Sequence, residues 1–163
     1  MVISRELLML GEQVGERLKA RGETVGVAES AAGGLIAAAL LATPGASAYF
    51  RGGAVSYTGH ARAGFLGLPA TLTDLRPDTE PYAALLAKTV RERLETTWGI
   101  GETGAAGPTG SRYGDPPGHV CVAVSGPVER AATIRTNLDD RVANMEAFAA
   151  AALRLLLESI PTK

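Results

Sequence analysis

A serine directly after the first predicted strand is the clearest candidate nucleophile in the chain. Ser30 lies between an apolar run at residues 24–28 and a run of small residues at 31–42. Within the second run, Gly33 and Gly34 leave open space beside the serine. A plain helix N-cap is one interpretation, because serine is a leading cap residue. The other is a nucleophile at a helix N-terminus, where free N–H groups and the positive end of the helix dipole stabilise an oxyanion.

A tyrosine at the end of the second predicted strand is the candidate proton carrier. Tyr57 closes the run 53–57, and a tyrosine at such a position often only packs, with its hydroxyl in water. A nearby guanidinium changes this chemistry, because an opposite charge favours the phenolate form. Arg62 is the cation predicted to do so, and it cannot itself accept a proton. His60 is a second candidate base, although a histidine in a polar turn is usually solvated.

The segment 104–118 is dense in glycine and proline and follows a third predicted strand. A surface turn is one interpretation, but a loop this long in a small domain usually binds something. Its glycines permit close backbone approach, and Thr109, Ser111 and Arg112 offer donors for sugar hydroxyls or a phosphate. Arg141, in the first turn of the last predicted helix, is a candidate phosphate clamp because its planar fork suits an oxyanion. The candidate substrate-binding positions are Gly33, Gly34, Thr103, Gly104, Ala105, Gly107, Thr109 and Arg141.

No cofactor or metal motif stands out in the sequence. Gly99, Gly101 and Gly104 formally spell G-x-G-x-x-G, but without a clear strand before them and a helix after them we reject a dinucleotide fingerprint. A phosphate-binding P-loop motif is absent as well. His119 and Cys121 share one face of a predicted strand, and two ligands do not make a zinc site. The sequence therefore predicts neither a bound cofactor nor a metal.

The amino-acid composition argues against some classes of binding partner and of cellular location. The 163 residues include 16 Lys plus Arg and 17 Asp plus Glu, for a net charge of -1. Without a basic excess, the chain is not expected to bind nucleic acid as its main partner. Cys121 is the one cysteine, which favours a reducing, cytoplasmic compartment. The short apolar run at residues 1–10 contains Arg5 and Glu6, so we expect neither a signal peptide nor a membrane span.

Hydrophobic periodicity and turn residues predict the elements that position these side chains. The order of helices and strands indicates a single α/β domain over residues 1–163, a three-layer α/β/α fold with a mixed sheet. In such folds ligands bind where strand ends meet helices. The predicted strands are 24–28, 53–57, 98–103, His119–Ser125 and 131–136. Three helices are predicted at 7–18, 31–42 and Gly59–Leu66. A fourth helix is capped by Thr79 or Glu80, and a last one begins at Asp139 and Asp140 and ends at Pro161.

Several of these segments together resemble the C-terminal domain of CinA proteins. The likeness covers nearly the whole chain, in the order and spacing of the family. It is carried by AESAAGG at 28–34, PGASAYFRGGAVSY at 44–57, TGAAGPTG at 103–110, PPGHVCVAV at 116–124 and the pair Asp140-Arg141.

The resemblance implies a function as well as a fold. The family includes stand-alone nicotinamide mononucleotide deamidases, which hydrolyse the nicotinamide amide to nicotinate mononucleotide and ammonia. It implies an α/β/α homodimer that works without metal or cofactor. The family motif A-E-S-C-T-G-G places its serine nucleophile at Ser30. A later Y-S-N-E-A-K places an assisting tyrosine at Tyr57 and an assisting lysine at Arg62.

Departures from the family motifs leave two hypotheses open. Ala31-Ala32 stands where the family has Cys-Thr, and Arg62 replaces a lysine whose neutral amine can accept a proton. In the first hypothesis the chain is an amidohydrolase in which Ser30 attacks the carboxamide carbon. Tyr57, with Arg62 favouring its phenolate, then carries the serine proton to the departing ammonia, while N–H groups near Gly33 and Gly34 or at 104–107 hold the oxyanion. In the second it is a catalytically silent module that binds pyridine nucleotides.

Overall fold

The structure is a computed structural model that describes residues 3–162. Its helices and strands alternate along much of the chain. The α-helices are α1 (Arg5–Arg21), α2 (Leu35–Leu41), α3 (Gly59–Leu66), α4 (Glu80–Leu94) and α5 (Arg141–Ser159), with a short 3₁₀ helix at Ala46–Ala48. The strands are β1 (Val25–Glu29), β2 (Phe50–Val55), β3 (Trp98–Ala105), β4 (His119–Ser125) and β5 (Arg130–Arg135).

The five strands form one mixed sheet in the order β2-β1-β3-β4-β5. Strand β1 runs parallel to both β2 and β3, while β4 is antiparallel to β3 and to β5. The carboxyl ends of β1, β2 and β3 therefore meet at one edge of the sheet. The segments that follow these three strands contain the sequence-predicted site residues, so the topology brings them together.

Helices cover both faces of the sheet. Strand β4 shows the two faces by alternation: Val120, Val122 and Val124 pack into the large core with α1, α2 and α5, whereas Cys121 and Ala123 pack against α4. This arrangement confirms the predicted three-layer α/β/α fold with a mixed sheet.

The paired glycines of β3 have a packing role rather than a dinucleotide-binding one. A Cβ atom at Gly99 or Gly101 would overlap the backbone carbonyl oxygen of Ala87 or Ala83 in α4. Glycine at both positions lets the helix lie directly on the strand, which is why α4 covers the centre of the sheet so closely.

The predicted start of α2 is wrong by one turn. The small-residue run predicts a helix from residue 31, but α2 begins only at Leu35. Gly33 and Gly34 have left-handed backbones, with φ of 65° and 99°, which a continuing right-handed helix excludes. Strand β2 likewise ends at Val55, so Tyr57 lies in the loop beyond it.

Two predicted helix starts are confirmed by their caps. The Thr79 side chain accepts the Tyr82 N–H at the start of α4, and the Asp140 side chain accepts the Ala143 N–H at the start of α5. Both caps fix where a helix leaves the loops around the site. Across residues 3–162, no helix combines the length and the apolar character that crossing a bilayer requires.

Candidate active site

A cavity of about 480 Å³ opens at the edge of the sheet where β1, β2 and β3 end. Nearly all the sequence-predicted site residues line it, and Gly33 and Gly34 do not. Predicted residues in its wall are Ser30, Tyr57, Arg62, Thr103, Gly104, Ala105, Gly107, Thr109 and Arg141; others include Ala31, Asp78, Tyr82, Ala106, Ser111, Arg112 and Tyr113.

Ser30 stands in a tight turn that a buried carboxyl group holds from below. Glu102 Oε2 accepts two N–H groups of this turn, from Ser30 at 2.8 Å and from Ala32 at 3.0 Å. The N–H of Ala31, between them, makes no hydrogen bond within residues 3–162, and Ala31 lines the cavity. The turn therefore places a serine in the cavity wall beside a residue whose N–H group has no partner within residues 3–162.

The prediction that Gly33 and Gly34 supply oxyanion donors is wrong. The Gly33 N–H bonds to the Ser30 carbonyl oxygen at 3.1 Å, and the Gly34 N–H bonds to Glu29 Oε1 at 2.8 Å. Both donors are already engaged within the protein, so neither glycine can serve a substrate. Their role is to give the turn its left-handed backbone.

Ser30 is not the N-cap of α2, and it does not draw on the dipole of that helix. The Glu29 carboxylate accepts the N–H groups of Gly34, Ile36 and Ala37, at 2.8 to 3.1 Å. These bonds satisfy and neutralise the helix start, where Gly34 occupies the N-cap position. Donors for an oxyanion must therefore come from the Ser30 turn and the neighbouring loop.

Glu102, which accepts hydrogen bonds from the Ser30 turn, is a residue of the candidate site that the sequence interpretation missed. It is fully buried, and its Oε1 atom has no hydrogen-bond partner within the described chain. Burial raises the pKa of Glu102 to about 8; the two N–H donors oppose the rise, and the acidic Glu29 and Asp78 add to it. We therefore expect an uncharged side chain near pH 7. A single charged residue inside an otherwise uncharged, largely buried strand was the available signal.

Glu102→Gln is expected to remove a pH trend in the free energy of unfolding. In the wild type, the folded protein keeps the Glu102 proton up to about pH 8, whereas the unfolded chain loses it near pH 4.5. Stability from this residue is fully present below pH 4.5 and falls as the pH rises to about 8, by up to about 1.4 kcal/mol per pH unit. Glutamine does not titrate, so the free energy of unfolding of the variant increases relative to that of the wild type between pH 4.5 and about pH 8.

Urea unfolding of both proteins at pH 5, 6, 7 and 8 measures this difference. Burial also raises the pKa of Glu29, which is present in both proteins, so its own desolvation is common to the two; the difference between the proteins also contains the charge interaction of Glu29 with Glu102. A stability difference that stays constant from pH 5 to pH 8 would contradict the expected protonation of Glu102.

Tyr57 lies close to the Ser30 turn because two strand ends are bonded together. The Ser56 N–H donates to the Glu29 carbonyl oxygen at 2.8 Å, and Tyr57 and Ser30 each follow this pair directly. Tyr57 is exposed and lines the cavity. Ser30 and Tyr57 therefore lie on neighbouring backbone segments, and both line the cavity.

The cation that contacts Tyr57 is Arg141, not the predicted Arg62. Arg141 Nη2 donates to the Tyr57 hydroxyl oxygen at 3.1 Å, and its Nη1 donates to the Gly107 carbonyl oxygen at 2.6 Å. A charged donor stabilises negative charge on the phenol oxygen. Arg141 thereby joins the tyrosine to the glycine-rich loop.

Arg62 has structural partners instead. Its side chain is buried and donates from Nε to the Pro69 carbonyl oxygen at 2.9 Å and from Nη1 to the Tyr82 hydroxyl at 2.7 Å, with a further bond to the Ala70 carbonyl oxygen. The predicted contact of Arg62 with Tyr57 is therefore wrong, and Arg62 instead forms a hydrogen-bond network in the cavity wall. The other candidate base, His60, is exposed and does not line the cavity.

Arg62→Lys is expected to lower the free energy of unfolding by about 2 kcal/mol, because an ammonium cannot reach all three acceptors and a buried side chain loses charge-assisted hydrogen bonds. The same substitution at exposed Arg112, which stacks 5.9 Å from the Tyr113 ring, is the control and should change stability little. Thermal and urea unfolding of the two variants provide the measurement. Equal stability of Arg62→Lys and the wild type would show that this network is not structural.

The glycine-rich loop lines the cavity and contains backbone N–H groups without a partner in the described chain. Its carbonyl oxygens are occupied: Ala105 O accepts the Gly118 N–H at 2.8 Å, and Ala106 O accepts from Asn144 Nδ2 at 2.8 Å. The N–H groups of Ala106 and Gly107 make no hydrogen bonds within residues 3–162. They are therefore free to bind an oxyanion or a phosphate, and the binding role of this loop stays a prediction.

No metal centre accompanies the cavity in the part of the chain that the structure describes, since no group of three His, Cys, Asp or Glu side chains there is placed to hold an ion. His119 and Cys121, the pair noted in the sequence, both point at the Asp78 carbonyl oxygen, at 2.9 and 3.5 Å. Their shared strand face serves to hold that backbone.

The chain is similar in sequence to known proteins over most of its length. The model of the CinA C-terminal domain family matches residues 8–160. A CinA-like protein of Cyanothece sp. is 44% identical over 119 residues, 72% of this chain and 28% of that protein. One from Trichormus variabilis is 37% identical over 158 residues, 94% of this chain and 38% of that protein. The chain thus spans well under half the length of these relatives.

Solved structures show the same fold. A competence-damaged protein (CinA) superfamily protein from Klebsiella pneumoniae superposes with a TM-score of 0.87 at 27% identity, covering 94% of this chain and 97% of that one. A competence/damage inducible protein from Agrobacterium tumefaciens gives a TM-score of 0.86 at 28% identity, covering 97% and 98%. With the family match over residues 8–160, these findings show that the chain belongs to the CinA C-terminal domain family.

Proposed function

We propose that this protein is an amidohydrolase that converts nicotinamide mononucleotide to nicotinate mononucleotide and ammonia. The observation that carries the proposal is the Ser30 turn, in which Glu102 accepts the N–H groups of Ser30 and Ala32 while Ser30 and Ala31 line the cavity. A nucleophile and an oxyanion donor on consecutive residues suit acyl transfer. Membership of the CinA family, stated above, supports the choice of a nicotinamide nucleotide as substrate.

The reaction proceeds through an ester on Ser30. The Ser30 oxygen forms a bond to the carboxamide carbon, and its proton passes to the Tyr57 oxygen, whose negative charge Arg141 stabilises. The N–H groups of Ala31 and of the 106–107 segment receive the developing oxyanion. When the C–N bond breaks, the nitrogen takes the proton from Tyr57 and leaves as ammonia. Water then hydrolyses the ester, which releases the carboxylate product and restores the serine.

Ammonia release from nicotinamide mononucleotide, measured with the purified chain and no added metal, tests the proposal. Stoichiometric formation of nicotinate mononucleotide, resolved by chromatography, is the expected result. Absence of turnover would overturn the proposed activity. A homodimer and a cytoplasmic location, both implied by the resemblance or the composition, belong to the same proposal, and sedimentation analysis tests the dimer.

A second candidate is a silent module that binds pyridine nucleotides. The observation favouring it is that no lysine lines the cavity in the described chain, and that Arg62, at the position of the family lysine, is bonded to Tyr82 and two carbonyl groups. Calorimetric titration separates the candidates. Binding of the nucleotide with no ammonia release would support the silent module, whereas turnover excludes it.

A further inference from the structure

Asp78 is an acidic wall residue of the cavity that the proposed mechanism does not use. It directly precedes the cap of α4, is buried apart from its cavity side, and has a left-handed backbone with φ of 61°. That conformation is uncommon outside glycine and costs about 1–3 kcal/mol, and residues held in it concentrate at functional sites. The surrounding structure must therefore hold Asp78 in place.

Hydrogen bonds hold its backbone and one carboxyl oxygen. The Asp78 N–H donates to Thr103 Oγ1 at 3.1 Å, and the Thr103 hydroxyl donates back to Asp78 Oδ1 at 2.8 Å. His119 Nε2 donates to the Asp78 carbonyl oxygen at 2.9 Å; Arg135 Nε donates to the other ring nitrogen, which fixes this tautomer. The second carboxyl oxygen, Oδ2, makes no hydrogen bond within residues 3–162.

The Arg76 guanidinium, two residues before Asp78 in the chain, is bonded to another carboxylate. Arg76 pairs with Asp115, from Nη1 at 2.7 Å and Nη2 at 3.3 Å, and this bond lowers the pKa of Asp115. Asp78 forms no ion pair in the described chain, and burial raises its pKa, against the bond from Thr103. A desolvated carboxyl group that has no ion-pair partner of its own is stabilised by a cation that enters the cavity.

We propose that Asp78 is a specificity-determining residue that recognises the positive charge of the substrate's pyridinium ring. The proposal rests on the proposed function, because an N-ribosylated nicotinamide carries this charge on its ring nitrogen. The cavity wall then offers two kinds of polar group: the carboxyl group of Asp78 for the ring, and Arg141 with the N–H groups of the 106–107 segment for oxyanions. Free nicotinamide and a dihydropyridine nucleotide lack the ring charge and lose this contact.

Binding to the Ser30→Ala protein tests the inference apart from catalysis. The probes are nicotinamide mononucleotide and its dihydro form, which keeps the carboxamide, ribose and phosphate but has a neutral ring. We expect the Ser30→Ala protein to bind the oxidised form roughly 10-fold or more tightly, the size of effect that an opposite charge at close range produces. Asp78→Asn added to this protein should bring the preference to within about twofold.

Control variants distinguish the loss of the Asp78 charge from a disturbance of the fold. Asp78→Gly removes the carboxyl group while suiting the left-handed backbone, and should give the same loss of preference as asparagine. Asp74→Asn makes the same charge change at an exposed position outside the cavity, and should leave the preference intact. Thermal unfolding checks that each variant is folded.

Several outcomes would overturn the inference. Equal weakening of both nucleotides by Asp78→Asn would assign Asp78 to ribose or carboxamide binding instead. An unchanged preference, or failure of the Ser30→Ala protein to bind either nucleotide, would also contradict it. Ammonia release by the wild type is measured separately, so turnover with no effect of Asp78 on preference would leave the proposed function standing and remove only this inference.

Discussion

Replacing Ser30 with alanine is expected to lower kcat for ammonia release by roughly 10³–10⁶-fold, the range found when a serine nucleophile is deleted. Alanine keeps the backbone bonds of the turn to Glu102, because those bonds use N–H groups and not the hydroxyl. The nucleotide should therefore still bind, and only the chemical step should fail. Ammonia release and calorimetric binding, measured on the same protein preparation, distinguish the two effects.

Ser56→Ala is the matched control for this experiment. Ser56 is a buried serine close to Ser30, its hydroxyl lies 3.4 Å from the Glu29 carbonyl oxygen, and it does not line the cavity. Its loss should leave turnover within a few-fold of wild type. If Ser30→Ala retained wild-type turnover, a serine-linked ester could not be the route of hydrolysis.

Tyr57→Phe is expected to reduce kcat by roughly 10²–10⁴-fold, the usual contribution of general acid–base assistance. Phenylalanine keeps the ring but removes the oxygen that accepts from Arg141, so the serine proton loses its acceptor and ammonia loses its donor. KM should change far less than kcat, because the phenol acts on the reacting atoms. Steady-state kinetics over a range of nucleotide concentrations provide the measurement.

Tyr113→Phe provides the comparison for Tyr57. Tyr113 also lines the cavity, but its hydroxyl makes no hydrogen bond within residues 3–162, and its ring instead lies 5.3 Å from the Arg76 guanidinium. Removing this hydroxyl should leave kcat nearly unchanged. A large loss of kcat in Tyr113→Phe with none in Tyr57→Phe would contradict the assignment of the proton transfer to Tyr57.

The fold was largely predictable because its signals are local. Strict alternation of valines gave β4 its bounds, and a threonine cap followed by a proline in the first turn gave α4 its start. The first turn of the predicted helix at 31–42 failed for a physical reason. Its composition favours a helix, but a carboxyl group from the preceding strand and two left-handed glycines hold it as a turn.

The sequence predicted only those features of the site that follow from the positions of the strand ends. Ser30 and Tyr57 follow neighbouring strands, so their meeting at one edge follows from topology. The partner of Tyr57 does not: Arg62 is close in sequence, yet Arg141, far along the chain, makes the bond. Glu102 was missed because its importance depends on which N–H groups lie above it in the folded protein.

Asp78 was missed for a similar reason. Its significance comes from a left-handed backbone and from bonds to Thr103 and His119, which belong to distant strands. An aspartate between a proline and a threonine cap is typical of an ordinary turn in the sequence. Only the packing of α4 against β3 and β4 shows that its carboxyl group lines the cavity.

Trapping the covalent intermediate tests the proposed chemistry most directly. Wild-type protein mixed with nicotinamide mononucleotide, quenched rapidly in acid and digested, is examined by mass spectrometry for an acyl group on the peptide that contains Ser30. We predict the nicotinoyl nucleotide ester on Ser30 during turnover, and none in Ser30→Ala. Sustained ammonia release with no adduct at any time, and with undiminished release by Ser30→Ala, would contradict the assignment of Ser30 as nucleophile.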